Sequence, residues 1–159
     1  MGAANNVVCM ASVALWFVAG CAASPLDEQR RLDAEADIAE ILGYPLDPLE
    51  YGEPSRCLSD TQYRSYRALN DQHMLFKGLG NRLWVNTLRS RCPGLREDDT
   101  LIVRKHSGTR VCKFDKFQIA DWFDRHPLQS STGVECVFGD FQPISEQQLE
   151  EIEAVINSR

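Results

Sequence analysis

The first 21 residues of this 159-residue chain contain no Asp, Glu, Lys or Arg, so the whole net charge of −6 lies beyond them. Histidine is scarce. His73, His106 and His126 are the only three, and no two stand four residues apart, which excludes the helical zinc arrangement His-Glu-x-x-His. No Cys-x-x-Cys occurs. That removes the close pairs a zinc ribbon needs and the dithiol of a thioredoxin-type redox site. Gly-x-Ser-x-Gly, the phosphate-binding glycine loop and Gly-x-Gly-x-x-Gly are also missing, so nucleophile-elbow hydrolases and the common nucleotide-binding folds find no support. Gly78-Leu79-Gly80 is too short for such a loop and reads as a hairpin turn. No metal and no cofactor is expected. The chain has no internal repeat and no low-complexity tract.

Charge is unevenly spread. Residues 22–56 hold nine acids and three bases, residues 57–142 ten acids and thirteen bases, and residues 143–159 four acids and one base. A mildly basic centre thus lies between two acidic flanks. Nucleic-acid binding usually leaves a strongly basic patch, and so modest an excess predicts no nucleic-acid partner.

Val7 to Ala19 is an apolar run of thirteen residues broken only by Ser12. A membrane-spanning helix needs about 20 apolar residues, so this run suits the apolar core of a signal peptide. It ends in Val18-Ala19-Gly20-Cys21, which resembles the lipobox of bacterial lipoproteins: an aliphatic residue, two small residues, then the cysteine whose thiol takes the diacylglycerol. The departure from the pattern is the missing Lys or Arg at the start. Met1-Gly2 does not make a myristoylation site, because Asn6 stands where Ser or Thr is wanted. The resemblance implies cleavage before Cys21 and membrane attachment through acyl chains on it. With Ala22, and no Asp, after the cysteine, it implies sorting to the outer membrane.

The expected organisation is a signal peptide over 1–20, a lipid-anchored segment over 21–56, and a compact β-rich domain with a C-terminal helix over 57–159. Residues 26–42 read as an amphipathic helix with Ala34, Ile38, Ile41 and Leu42 on one face. Asp27 and Glu28 suit its positive end, and Gly43 and Pro45 stop it. The proline-rich stretch 44–56 reads as a linker. Strands are expected near 62–69, 73–77, 82–88, 100–106, 110–115, 117–122 and 134–141, with turns at Asn70-Asp71, Gly78 to Asn81 and Ser107-Gly108, and a loop over 125–133. In 82–88, Leu83, Val85 and Thr87 alternate with Trp84, Asn86 and Leu88, a strand buried on both faces. The last helix begins after Ser145, which with Gln148 fits a capping box. Leu149, Ile152, Val155 and Ile156 form its apolar stripe. The fold class is mainly β: a small antiparallel sheet or barrel, disulfide-stabilised, with an N-terminal amphipathic helix and a C-terminal helix.

Once Cys9 leaves with the signal and Cys21 takes lipid, Cys57, Cys92, Cys112 and Cys136 remain. In an oxidising compartment they read as two disulfides. A β meander sets Cys57 and Cys92 at opposite ends and disfavours their pairing. The expected bridges are Cys92–Cys112 and Cys57–Cys136, with Cys57–Cys112 and Cys92–Cys136 as the alternative.

Between Cys57 and Phe141 the chain resembles an uncharacterised family of bacterial lipoproteins, a domain of unknown function. The likeness rests on Cys57-Leu58, on Asn70-Asp71 before Leu75-Phe76, and on Trp84 to Leu88. It continues with Cys92-Pro93-Gly94-Leu95, Cys112 before Asp115, and Cys136-Val137-Phe138-Gly139-Asp140-Phe141. It implies a location and paired cysteines, and no activity.

Two function classes follow: a non-enzymatic module bound to an envelope protein or an anionic envelope component, or a small periplasmic envelope hydrolase. Arg82, Arg89, Arg91 and Arg96, near Trp84, are the candidate anion-binding residues. Asp121, Asp124 and His126 lie close in sequence, but they bracket Trp122-Phe123 and precede Pro127, and so read as a turn after a strand. The three histidines are expected at surface or turn positions. Trp84, Trp122 and Phe123 are expected in the core.

Overall fold

A computed structural model describes residues 24–106, 108–120 and 134–158. The apolar run, Cys9, Cys21, Ser107, the Asp121–Asp124–His126 group, Trp122-Phe123 and the loop 125–133 lie outside those residues.

The first helix, α1 (Pro25–Gly43), starts where Ser24 accepts from Asp27 N, with Pro25 in the first turn. Proline fits there because its missing N–H has no intrahelical partner. Ala34, Ile38 and Leu42 form its buried stripe. A single turn, α2 (Pro48–Tyr51), follows, capped by Asp47, inside the stretch expected to be linker. None of the described helices is long and apolar enough to cross a membrane.

Among the described residues nine short strands come next: β1 (Cys57–Ser59), β2 (Tyr63–Ala68), β3 (His73–Gly78), β4 (Leu83–Thr87), β5 (Leu101–Arg104), β6 (Arg110–Cys112), β7 (Lys116–Ile119), β8 (Cys136–Val137) and β9 (Phe141–Ile144). They form a central sheet in the order β2-β3-β4-β9, a three-stranded sheet β5-β7-β8 and a two-stranded ribbon β1-β6. All named pairings are antiparallel. Strands β2 to β4 are a meander. The turn between β2 and β3 is held by Asn70, whose Oδ1 accepts from Gln72 N at 2.8 Å and His73 N at 2.7 Å.

The central sheet is buried on both faces, as the alternation in 82–88 predicts. Leu83 and Val85 join Leu75, Ile144, Ile38, Leu42 and Ile152 under the helices. Trp84 and Leu88 join Met74, Phe76, Phe117, Phe138 and Phe141 on the other side. Thr87 departs from the pattern and is exposed. The aromatic core is edge-on in places: Phe76 meets Tyr63 and Phe141 with ring centroids 5.2 Å apart in both cases. Such pairs add about 0.5–1.5 kcal/mol each beyond their area burial.

The last helix, α3 (Glu146–Asn157), carries the expected capping box between Ser145 and Gln148. Gln148 also donates from Nε2 to Ile41 O at 2.9 Å, and Gln142 Nε2 donates to Leu42 O. These bonds give further partners to carbonyls in the last turn of α1, where intrahelical donors run out. They fix α1 and α3 side by side, with the end of one beside the start of the other.

Three expectations are corrected. The span 134–141 is two strands in different sheets. Asn86, fully buried on β4, holds the crossing: its Oδ1 accepts from Gly139 N at 3.0 Å and its Nδ2 donates to Gly139 O at 2.9 Å. The strand expected over 110–115 ends at Cys112, because a turn at 113–115 sends β6 to the ribbon and β7, the strand expected at 117–122, to the three-stranded sheet. The disulfides are Cys57–Cys112 and Cys92–Cys136, the alternative pairing and not the preferred one. The reason is register. Strand β1 lies against β6 with Cys57 directly opposite Cys112. The segment after β4 lies on β8, with Arg89 N donating to Val137 O at 3.0 Å, which brings Cys92 beside Cys136. In chain order the two bridges interleave.

Candidate functional site

The four arginines singled out in the sequence do not converge. Arg82 precedes β4 and Arg89 follows it; at about 3.4 Å per residue the strand separates them by roughly 20 Å. Arg82 lines a cleft of about 550 Å³ with Glu50, Tyr51, Ser145 and Glu146. Arg89 stacks over the Phe114 ring, 5.0 Å from its centroid. Arg91 is paired with Asp71. Arg96 binds Asp99 through its backbone N–H, at 2.7 Å. Trp84 is core, as expected.

The Arg82 cleft adjoins two others. One is lined by Arg67, Lys77, Asn81, Arg82, Glu146, Glu150 and Glu153. The next shares Arg67 and Glu153 and adds Arg96 and Glu97. Together they make a groove along α3, with acids on the helix wall and bases on the sheet wall. Arg67 bridges it, bonded to Glu153 and, at 3.0 Å, to Glu97. Tyr51 at its mouth has its phenol pushed above the ordinary value, first by the charge of Glu50, then by burial. Among the described residues no group of three or more His, Cys, Asp or Glu side chains is placed to hold a metal ion.

Of the three histidines expected at surface or turn positions, His73 and His106 lie among the described residues. His106 is exposed, but His73 is not: it is 4% exposed at the start of β3. It faces α1, with Nδ1 3.1 Å from Asn70 Oδ1. Burial lowers its pKa, against the raising charges of Glu35 and Asp71. The neutral form is therefore native, and the unfolded chain binds the extra proton between the lowered pKa and the free value near ~6.5. Stability should fall as pH drops through that window. Melting temperatures at pH 7.5 and 5.5 for the wild type and for His73→Gln check this: the acid-induced decrease should be smaller in the variant. Equal decreases would mean that His73 titrates alike folded and unfolded.

Sequence reasoning missed one pair. Asp115 is buried, and its Oδ1 lies 2.7 Å from Nδ1 of the exposed His106. The same carboxylate accepts from His106 N at 3.1 Å and from Cys112 N at 2.8 Å. Burial pushes its pKa up, but the three hydrogen bonds outweigh that and hold it below the ordinary value. An imidazole oriented by a buried carboxylate, with no partner on its second nitrogen among the described residues, is a general-base geometry. Neither residue lines the groove along α3. The nine-residue separation across the β6 segment gave no sequence signal for the pair.

Glu28 at the start of α1 is held below its ordinary pKa first by Arg31, which bonds it, and in addition by the charge of Arg91. The segment after β4 therefore sits at the same end of the molecule as the start of α1.

A family model described as a family of unknown function (DUF6491) matches residues 4–155. No curated protein and no solved structure matches the chain.

Proposed function

The chain belongs to this family of unknown function, and from that premise we propose that it is a lipid-anchored envelope protein and a non-enzymatic binding module. Acyl chains on Cys21 hold it on the periplasmic side of the bacterial outer membrane. The observation that carries the reading is the pair of disulfides, since such bonds persist in oxidising compartments and are rare in the cytosol. The apolar run and Val18-Ala19-Gly20-Cys21 supply the export and attachment signal, and the family match takes in both. Two or three acyl chains anchor stably where one holds only marginally. The groove along α3, with opposed charges on its walls, suits reversible contact with a polar partner. The hydrolase reading has one observation in its favour, the His106–Asp115 pair, which stands apart from that groove.

The test is Cys21→Ser. Metabolic labelling with a fatty-acid analogue and gel mobility should give complete loss of acyl label and accumulation of unprocessed precursor. Normal labelling and mature size in that variant would reject the anchor.

A further inference from the structure

We propose that the end of the β layer carrying Phe114 is a contact surface for an anionic phospholipid bilayer. Phe114 enters the headgroup region, and Arg89 and Lys113 meet lipid phosphates beside it.

Phe114 is unusual twice over. It is 47% exposed, and its φ of 74° lies in the left-handed region, where a bulky residue is a true outlier. Glycine or asparagine would fill such a turn position without the strain, and strain of this kind gathers at functional positions. The backbone leaves little choice of direction: Phe114 N donates to Phe138 O at 3.0 Å, and the preceding Lys113 N to Arg56 O at 2.7 Å. Two cations flank the ring, Arg89 at 5.0 Å and Lys113 at 5.5 Å from its centroid. Asp140 offsets part of this charge through a 2.5 Å bond to Lys113. Among the described residues no carboxylate pairs with Arg89 or Arg56, so the surface stays net positive.

The rest of the molecule gives this surface a direction. Helix α1 holds six acids and two bases, and α3 four acids and no base. Both lie on one face of the central sheet. Residues 57–120 and 134–144, the β part, hold twelve bases and eight acids. An anionic surface therefore attracts the β side and repels the helix side. A half-exposed aromatic between long cationic side chains fits a lipid interface, where the ring sits at headgroup depth and the cations extend to phosphate. A soluble polyanion has no use for the ring. Attachment through Cys21 agrees with this direction, and for this point the inference rests on the proposed function. Only two residues, Ala22 and Ala23, separate Cys21 from Ser24, a reach of about 11 Å at most over the three steps, and the start of α1 is at the Arg91 end of the molecule, two residues from Arg89.

Hydrogen exchange of the full chain, read by mass spectrometry, tests the surface independently of acylation. The chain is mixed with vesicles of phosphatidylcholine alone or with three parts in ten phosphatidylglycerol. Exchange at 110–116 and 88–92 should slow several-fold with the anionic vesicles only. The effect should vanish in 0.5 M salt and in Arg89→Ala/Lys113→Ala, with α1 and α3 unchanged. Phe114→Ser should weaken it without altering exchange in the free protein. Equal exchange with both vesicles, or slowing confined to α1 and α3, overturns the proposal. So does the same slowing by soluble polyphosphate, which would assign the surface to a polyanion. Loss of acyl label in Cys21→Ser is a separate readout, so the anchor and the contact surface can fail independently.

Discussion

Gly139→Ala is expected to destabilise the protein by about 3 kcal/mol or more, a large part of the ~5–15 kcal/mol that holds a domain of this size folded. A Cβ at Gly139 would lie 2.0 Å from Thr87 O and 3.2 Å from Thr87 C. Those are backbone atoms of β4, a strand paired on both sides, so no side chain can swing away. Relief requires the crossing between β8 and β9 to move outward. That would break the hydrogen bonds from Asn86 to Gly139 and leave a buried amide without partners, which costs roughly 1–3 kcal/mol by itself. Gly43→Ala is the control. Nothing lies within 4 Å of its Cβ position and its backbone is not left-handed, so it should change stability little or raise it. Urea denaturation of both variants measures the difference. A Gly139→Ala protein within ~0.5 kcal/mol of wild type would mean that the two strands do not approach as described.

Replacing Cys92 and Cys136 together by alanine should cost about 2–5 kcal/mol and lower Tm by roughly 10 °C. Both residues are buried, at 0% and 1% exposure. Their bridge ties the segment after β4 to β8, so it joins the central sheet to the three-stranded one. The Cys57→Ala/Cys112→Ala variant is the comparison. The bridges close separations of 55 and 44 residues, and on chain entropy alone they differ by only ~0.2 kcal/mol. Any larger difference reports packing. Cys92–Cys136 should matter more, because Cys57 and Cys112 are only half-buried on a two-stranded ribbon. Thermal melts under non-reducing conditions decide it. A greater loss from removing Cys57–Cys112 would show that the ribbon, and not the junction between sheets, limits stability.

Features set by near neighbours were legible in the sequence. Helix α3 was readable from Ser145, Gln148 and one apolar stripe, because a capping box is closed by residues three apart. Burial of β4 on both faces was readable because its two alternating sets are each apolar through Val85. What was not readable depends on distant partners. Gly139 separates two strands only because Thr87, 52 positions earlier, leaves no room for a side chain. Cys57 meets Cys112 because β1 and β6, three residues each, find one another across the chain. Strands so short carry almost no periodicity. His73 follows a turn signal at Asn70-Asp71 and so looked exposed, but α1 covers it. The arginine stretch looked like one site because residues 82–96 are close in sequence, and a single strand through the middle of it carried its members to opposite ends. Asp115 and His106 pair across a fold-back that no local motif marks.

The interleaving of the two bridges has a consequence for what a protease can do. A single cut anywhere between Cys57 and Cys136 leaves both pieces covalently joined, because every such point is spanned by at least one bridge. Two cuts distinguish this linkage from the nested one. With Cys92–Cys112 enclosed by Cys57–Cys136, cleavage near residues 70 and 125 would free the middle fragment, since its cysteines would be bonded only to each other. With Cys57–Cys112 and Cys92–Cys136, the same fragment stays tied to the N-terminal piece through Cys112 and to the C-terminal piece through Cys92. A copy cut once in this span, or once on each side of the Cys92–Cys112 stretch, therefore sheds nothing between Cys57 and Cys136 until the bridges themselves are reduced, and on a non-reducing gel it runs as one chain.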